Sequence, residues 1–118
     1  MASSSTNPEL IQLIHSLRKK SNETKTAIWQ IIAERIESTH KRTSVNLSRI
    51  SRYTRAGETV IVPGKVLGAG KLNHQVKVAA LQFSKQAEKK IVEAKGKCMT
   101  INELVDKNPK GSNVKIIG

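Results

Sequence analysis

Three arginines, Arg49, Arg52 and Arg55, step by three residues, and a glycine-lysine cluster follows at Gly64-Lys65-Val66-Leu67-Gly68-Ala69-Gly70-Lys71. Both arrangements suit phosphate. Arginine and lysine neutralise it, and backbone N–H groups at residues lacking Cβ can approach it closely. The glycine stretch invites comparison with a nucleotide-binding loop and fails it. That signature needs four residues between its glycine and its Gly-Lys pair, then Ser or Thr to hold magnesium. Here five residues separate Gly64 from Gly70, and Leu72 follows Lys71. The dinucleotide fingerprint fails too, because Asn73 stands where its third glycine belongs. What remains is a loop able to hold backbone phosphates of a polymer without chemistry. The plainer reading, a tight turn between strands that needs positive φ, is compatible with it.

Other reactive side chains do not assemble into a site. His15, His40 and His74 are far apart, with no second ligand at i+3 or i+4, and the single Cys98 cannot complete a metal set. Cys98 reads as a small core residue rather than a nucleophile. Glu103 is explained by helix capping and Asp106 by surface exposure, so no general acid–base pair is evident. We therefore expect no enzyme, no cofactor and no small-molecule substrate. The aromatics Trp29, Tyr53 and Phe83 are too few for a base-stacking platform, which single-strand readers need. Trp29 and Phe83 fall where core residues belong, leaving Tyr53, beside the arginines, as the one candidate to stack on a base. Folded RNA, contacted at phosphate and 2′-OH, is the better fit.

The charge balance agrees. The chain of 118 residues has 21 Lys+Arg against 9 Asp+Glu, a net +12. Residues 38–87 carry +8 of it: Lys41, Arg42, Arg49, Arg52, Arg55, Lys65, Lys71, Lys77 and Lys85 against Glu58 alone. A solvated helical face usually interleaves carboxylates at i±4, and the arginine stripe has none. A folded domain this basic needs a polyanion, with nucleic acid ahead of an anionic membrane surface. Ile, Leu, Val and Phe make up about a quarter of the residues, enough for a core. No apolar run approaches the ~20 residues that span a bilayer. No secretory signal is visible, and one cysteine fits a reducing, cytoplasmic setting.

These residues need elements to position them. Asn7, Pro8 and Glu9 start a helix with Leu10, Leu13, Ile14 and Leu17 on one stripe. Residues 18–23 read as a polar connection to a second helix over 27–37, with Trp29, Ile32, Ala33 and Ile36 on one face. His40 to Thr43 read as a loop or extension. Ser44 then caps a short helix over 45–53, and a helix through the three arginines would display them as a stripe. Thr59-Val60-Ile61-Val62 reads as a strand ending at the turn Pro63-Gly64. Val76, Val78 and Ala80 alternate as in a strand with one face covered. A helix follows over 84–94, closed by Gly96, then a short strand at 97–99. Thr100 and Glu103 form a capping box for a helix ending at Asn108-Pro109, and 114–117 form a last strand. The expectation is an α/β fold. Residues 1–6 form a disordered or extended N-terminus, and 7–118 form one domain, mainly helical over 7–55 and α/β over 56–118. The helical part packs on an irregular strand-strand-helix core with a small sheet.

The sequence also resembles a large-subunit ribosomal protein family, the archaeal and eukaryotic family L-eighteen-e, related to the C-terminal part of bacterial protein L-fifteen. The resemblance rests on Asn7-Pro8-Glu9-Leu10, Ala27-Ile28-Trp29, Ala33-Glu34-Arg35-Ile36, Val45-Asn46-Leu47-Ser48-Arg49-Ile50, Val60 to Gly70, Val78 to Ser84 and Asn108 to Ile117. It implies a non-catalytic role in packing large-subunit rRNA beside neighbouring ribosomal proteins, with residues 45–55 and 62–72 near RNA. Eukaryotic members carry basic extensions that this chain lacks, which points to an archaeal-type member. The expected rRNA-binding set is Lys41, Arg42, Arg49, Arg52, Tyr53, Arg55, Gly64, Lys65, Gly68, Gly70, Lys71, His74 and Lys85. The rival is a free-standing basic nucleic-acid binder, such as an RNA-maturation or chromatin factor.

Overall fold

A computed structural model describes residues 8–38 and 44–118. Helix α1, Pro8–Thr24, and helix α2, Ala27–Glu37, form the expected hairpin. The stretch expected to connect them is instead the last turns of α1. Its Lys, Ser and Glu residues are compatible with a helix, Lys20 pairs with Glu23 at 3.4 Å, and Ser21 turns inward to donate to the Thr26 carbonyl. The reversal takes only Lys25, at φ 56°, and Thr26.

Strand β1, Ser44–Asn46, precedes helix α3, Leu47–Tyr53. Ser44 is therefore in a strand, and Asn46 is the residue before the first helical turn. Strand β2, Thr59–Leu67, passes straight through Pro63-Gly64 rather than ending there. It pairs with strand β3, Lys77–Phe83, and advances three residues from Val62 to Lys65 while β3 advances two from Ala80 to Gln82. The extra residue is a bulge, which accommodates a proline that lacks an N–H within a buried strand.

Helix α4, Lys85–Glu93, starts at Ser84, whose hydroxyl accepts the Ala87 N–H at 3.1 Å. Strand β4, Lys97–Thr100, leads into helix α5, Ile101–Lys107, and strand β5, Val114–Ile116, follows. The Thr100–Glu103 capping box is present in both directions, at 3.1 and 2.9 Å. At the end of α4 the left-handed residue is Lys95, at φ 65°. Gly96 is needed for close approach, since a Cβ there would run into the Val76 carbonyl.

All strand pairs are parallel, in the order β1-β2-β3-β4, with β5 also on β2. A strand has two edges. β3 occupies one, so β5 and β1 share the other, β5 beside Thr59–Ile61 and β1 beside Lys65–Leu67. A parallel sheet is covered on both faces, and two cores result. Val60, Val62, Val66, Val78 and Ala80 face Leu47 and Ile50 of α3 and Ala87 and Ile91 of α4. Ile61, Ala79 and Met99 face α1, α2 and α5 through Leu17, Trp29, Ile32, Ile36, Ile101 and Leu104. β3 is thus covered on both faces, not one: Ala79 is as buried as Val78.

Candidate nucleic-acid interface

Parallel neighbours usually need a dozen or more residues, commonly a helix, to connect them. Between β2 and β3 the chain has only 68–76, and these run back along α3. Four hydrogen bonds tie this loop to α3 and to the residues just after it. Ser48 N–H donates to the Ala69 carbonyl at 3.2 Å, and Asn73 N–H donates to Ser51 Oγ at 3.2 Å. Thr54 Oγ1 donates to the Ile50 carbonyl at 2.7 Å, which leaves it to accept from His74 Nε2 at 2.8 Å. Gly57 N–H donates to the Gln75 carbonyl at 2.9 Å. From the other side, the Lys90 ammonium of α4 reaches the carbonyls of Gly68, at 2.7 Å, and Gly70, at 2.9 Å.

Three consecutive carbonyls are therefore claimed by the protein, while the amides of Gly70 and Lys71, both exposed residues, donate to no acceptor among the described residues. Gly70 takes φ +86° and a Cβ there would overlap the Ser48 side chain, so this position requires glycine twice over. The docked loop and α3 enclose an open depression of about 330 Å³ lined by Ser48, Ser51, Arg52, Lys71 and Asn73. Two cations, two hydroxyls and an amide line it, with no carboxylate. Neither Arg52 nor Lys71 has an ion pair among the described residues.

The expected site residues divide around this depression. Arg52 and Lys71 line it, Arg49 is exposed on the same helix, and Tyr53, 55% exposed, ends that helix. Arg55 lies beyond α3, at the start of the turn that leads into β2, so the helical stripe has two arginines, not three. Its backbone N–H donates to Glu58 at 2.6 Å. Lys85 is exposed on the first turn of α4. His74 is half-buried and anchors the loop to the end of α3. Gly68 is buried and Gly70 exposed, while Gly64 is buried within β2, apart from the loop, because the strand runs through it. Lys65 adjoins the inward Val66 and so points to the α1/α2 face, away from α3. Lys41 and Arg42 lie outside the described residues.

Sequence reasoning missed Ser48, Ser51, Asn73 and Lys90. Ser48, Ser51 and Arg52 stand at i, i+3 and i+4, which puts them on one helical face. Nothing in the sequence marks Lys90, because its partners are backbone carbonyls.

The sequence model of the family described as ribosomal protein 60S L18 and 50S L18e matches residues 1–118. The chain belongs to this family. Among curated relatives, the protein named large ribosomal subunit protein eL18 from Methanothermobacter thermautotrophicus is 51% identical over 113 residues, covering 95% of this chain and 93% of that protein. The proteins of the same name from Methanoregula boonei and Methanosphaerula palustris are 52% and 53% identical over 113 residues, with the same coverage. The L18e family assignment spans both sheet faces and both cores, so it covers the α3–loop unit and the helical hairpin alike. Among the described residues of this family member, no helix is long and apolar enough to cross a membrane, and no group of His, Cys, Asp and Glu could hold a metal ion.

Proposed function

We propose that the protein is a structural component of the large ribosomal subunit that binds folded rRNA through the depression between α3 and the 68–76 crossover. The observation that carries this reading is the convergence of Arg52, Lys71, Asn73 and two serine hydroxyls on one carboxylate-free surface, in a loop whose Gly70 and Lys71 amides are unclaimed. Arginine and backbone N–H groups position phosphate, and Ser and Asn side chains reach phosphate and 2′-OH. Arg49, Tyr53 and Lys85 extend the contact around the rim. The relatives' name supports the ribosome as the setting, with neighbouring ribosomal proteins as further partners and the cytoplasm as the compartment. Catalysis has no part in this role.

The test is co-sedimentation with large subunits through a high-salt wash, followed by a footprint of the protected rRNA. Retention is expected, and loss of protection at one rRNA segment is expected for Arg52→Gln/Lys71→Gln. A protein stripped by the wash is a free-standing binder, and the proposal then fails.

A further inference from the structure

A second group of cations lies on the other side of the sheet, among residues that the α3 depression does not use. Lys77 and Lys97 are direct register partners at the starts of β3 and β4. Register partners on neighbouring parallel strands point to the same face, with their strands about 4.8 Å apart. That face is the one Ala79 and Met99 share with α5, two residues further along each strand. The last residue of α5 is Lys107, so a third lysine arrives at the same place from the covering layer.

All three side chains are exposed. Hydrogen bonding to the Lys97 side chain, the charge of Lys97 and, more weakly, the charge of Lys77 hold the Lys107 pKa below the usual lysine value. Glu103, four residues earlier on α5, partly offsets them, but its Oε1 already accepts the Thr100 N–H. Asp106 adjoins Lys107 in sequence, and consecutive helical residues do not face each other. None of the three lysines has an ion pair among the described residues. Like charges directly opposite on adjacent strands destabilise a sheet. The isolated protein therefore carries a repulsion that an anion would relieve.

We propose that Lys77, Lys97 and Lys107 form a second polyanion site, taking backbone phosphates of an RNA segment different from the one held at α3. The two sites lie on opposite faces of the sheet, and the molecule measures 35 × 33 × 18 Å, thinnest in one direction. It is then a spacer with RNA on both sides. This deepens the rRNA-binding reading and rests on it.

The experiment uses the full chain and an RNA duplex of about 20 base pairs, as a sequence-neutral source of phosphate. One population of duplex carries a donor dye and another an acceptor, and energy transfer reports two duplexes on one protein. Wild type should show transfer at limiting protein. Lys77→Gln/Lys97→Gln/Lys107→Gln should lose it, and the salt slope of binding summed over both sites should fall by about two to three. The same variant should still bind one duplex through α3, and Lys77→Arg/Lys97→Arg/Lys107→Arg should keep transfer. Circular dichroism checks the fold, and Lys77→Gln/Lys97→Gln/Lys107→Gln should melt no lower than wild type, because it removes repulsion. Wild-type slope and transfer in Lys77→Gln/Lys97→Gln/Lys107→Gln overturn the inference and leave the α3 reading intact. A wild type that binds neither the duplex nor salt-washed subunits overturns both.

Discussion

Gly70→Ala tests whether the crossover loop is held against α3 as a unit. Two costs add. At φ +86° an alanine is strained by about 1–2 kcal/mol. Its Cβ would also overlap Ser48 Cβ and lie 3.0 Å from Ser48 Oγ and 3.1 Å from Ser48 Cα. Carbon atoms prefer about 3.5–4.0 Å, so the loop must back away from the helix, an overpacking cost of about 1–3 kcal/mol. The sum is about 2–5 kcal/mol, a large share of the total for a domain of this size. Chemical denaturation in urea measures it. Ser48→Gly removes the overlapping atom but leaves the strained φ, so the double variant should recover about 1–2 kcal/mol relative to additivity. Binding of rRNA should weaken in Gly70→Ala, because Lys71 moves away from Arg52. A loss below about 0.5 kcal/mol, or additive effects of the two substitutions, would refute the docking argument.

Other consequences are equally direct. Lys90→Met removes the ammonium that joins the Gly68 and Gly70 carbonyls; the expected cost is about 1 kcal/mol, with faster amide exchange at 69–71, and unchanged exchange would show that the loop holds itself. Burial, with Glu88 nearby, pushes the Cys98 thiol up to about 11 from 9.0. Iodoacetamide should therefore label it about 100-fold more slowly near neutral pH than it labels the denatured chain. The Arg55 N–H and the Lys115 ammonium hold the Glu58 carboxyl below its ordinary value of 4.5. A depressed carboxylate adds stability above its unfolded pKa and loses it as pH falls through the folded pKa. Acid titration of unfolding should accordingly show a smaller loss below that range in Glu58→Gln.

Much of the local structure was legible because it depends on near neighbours. The stripe Trp29, Ile32, Ala33 and Ile36 is the buried face of α2, and Thr100 with Glu103 caps α5 as their three-residue spacing requires. Misreadings fell where a distant partner decides. Ser44-Val45-Asn46 has no strand pattern of its own and is a strand because the upper half of β2 offers a free edge. Pro63-Gly64 looks like a turn in isolation, but β3 pairs on both sides of it, and a bulge absorbs the mismatch.

The candidate site followed the same division. Arg52 and Lys71 were visible as cations in a region poor in acids. Their convergence was not, because eighteen residues separate them and only the short parallel crossover folds the loop onto α3. Lys90, serving two carbonyls, is silent in any one-dimensional pattern.

By itself the sequence determined how much charge there is, which stretch holds most of it, and which apolar residues can make a core. Those are properties of composition and of spacing within a few residues. Tertiary structure alone decided which way each charge faces. Strand alternation turned Lys65 away from α3, register set Lys77 beside Lys97, and the end of α5 brought Lys107 to both. Pairing between distant strands assigns every side chain to one face or the other, and a one-residue bulge is enough to change the assignment.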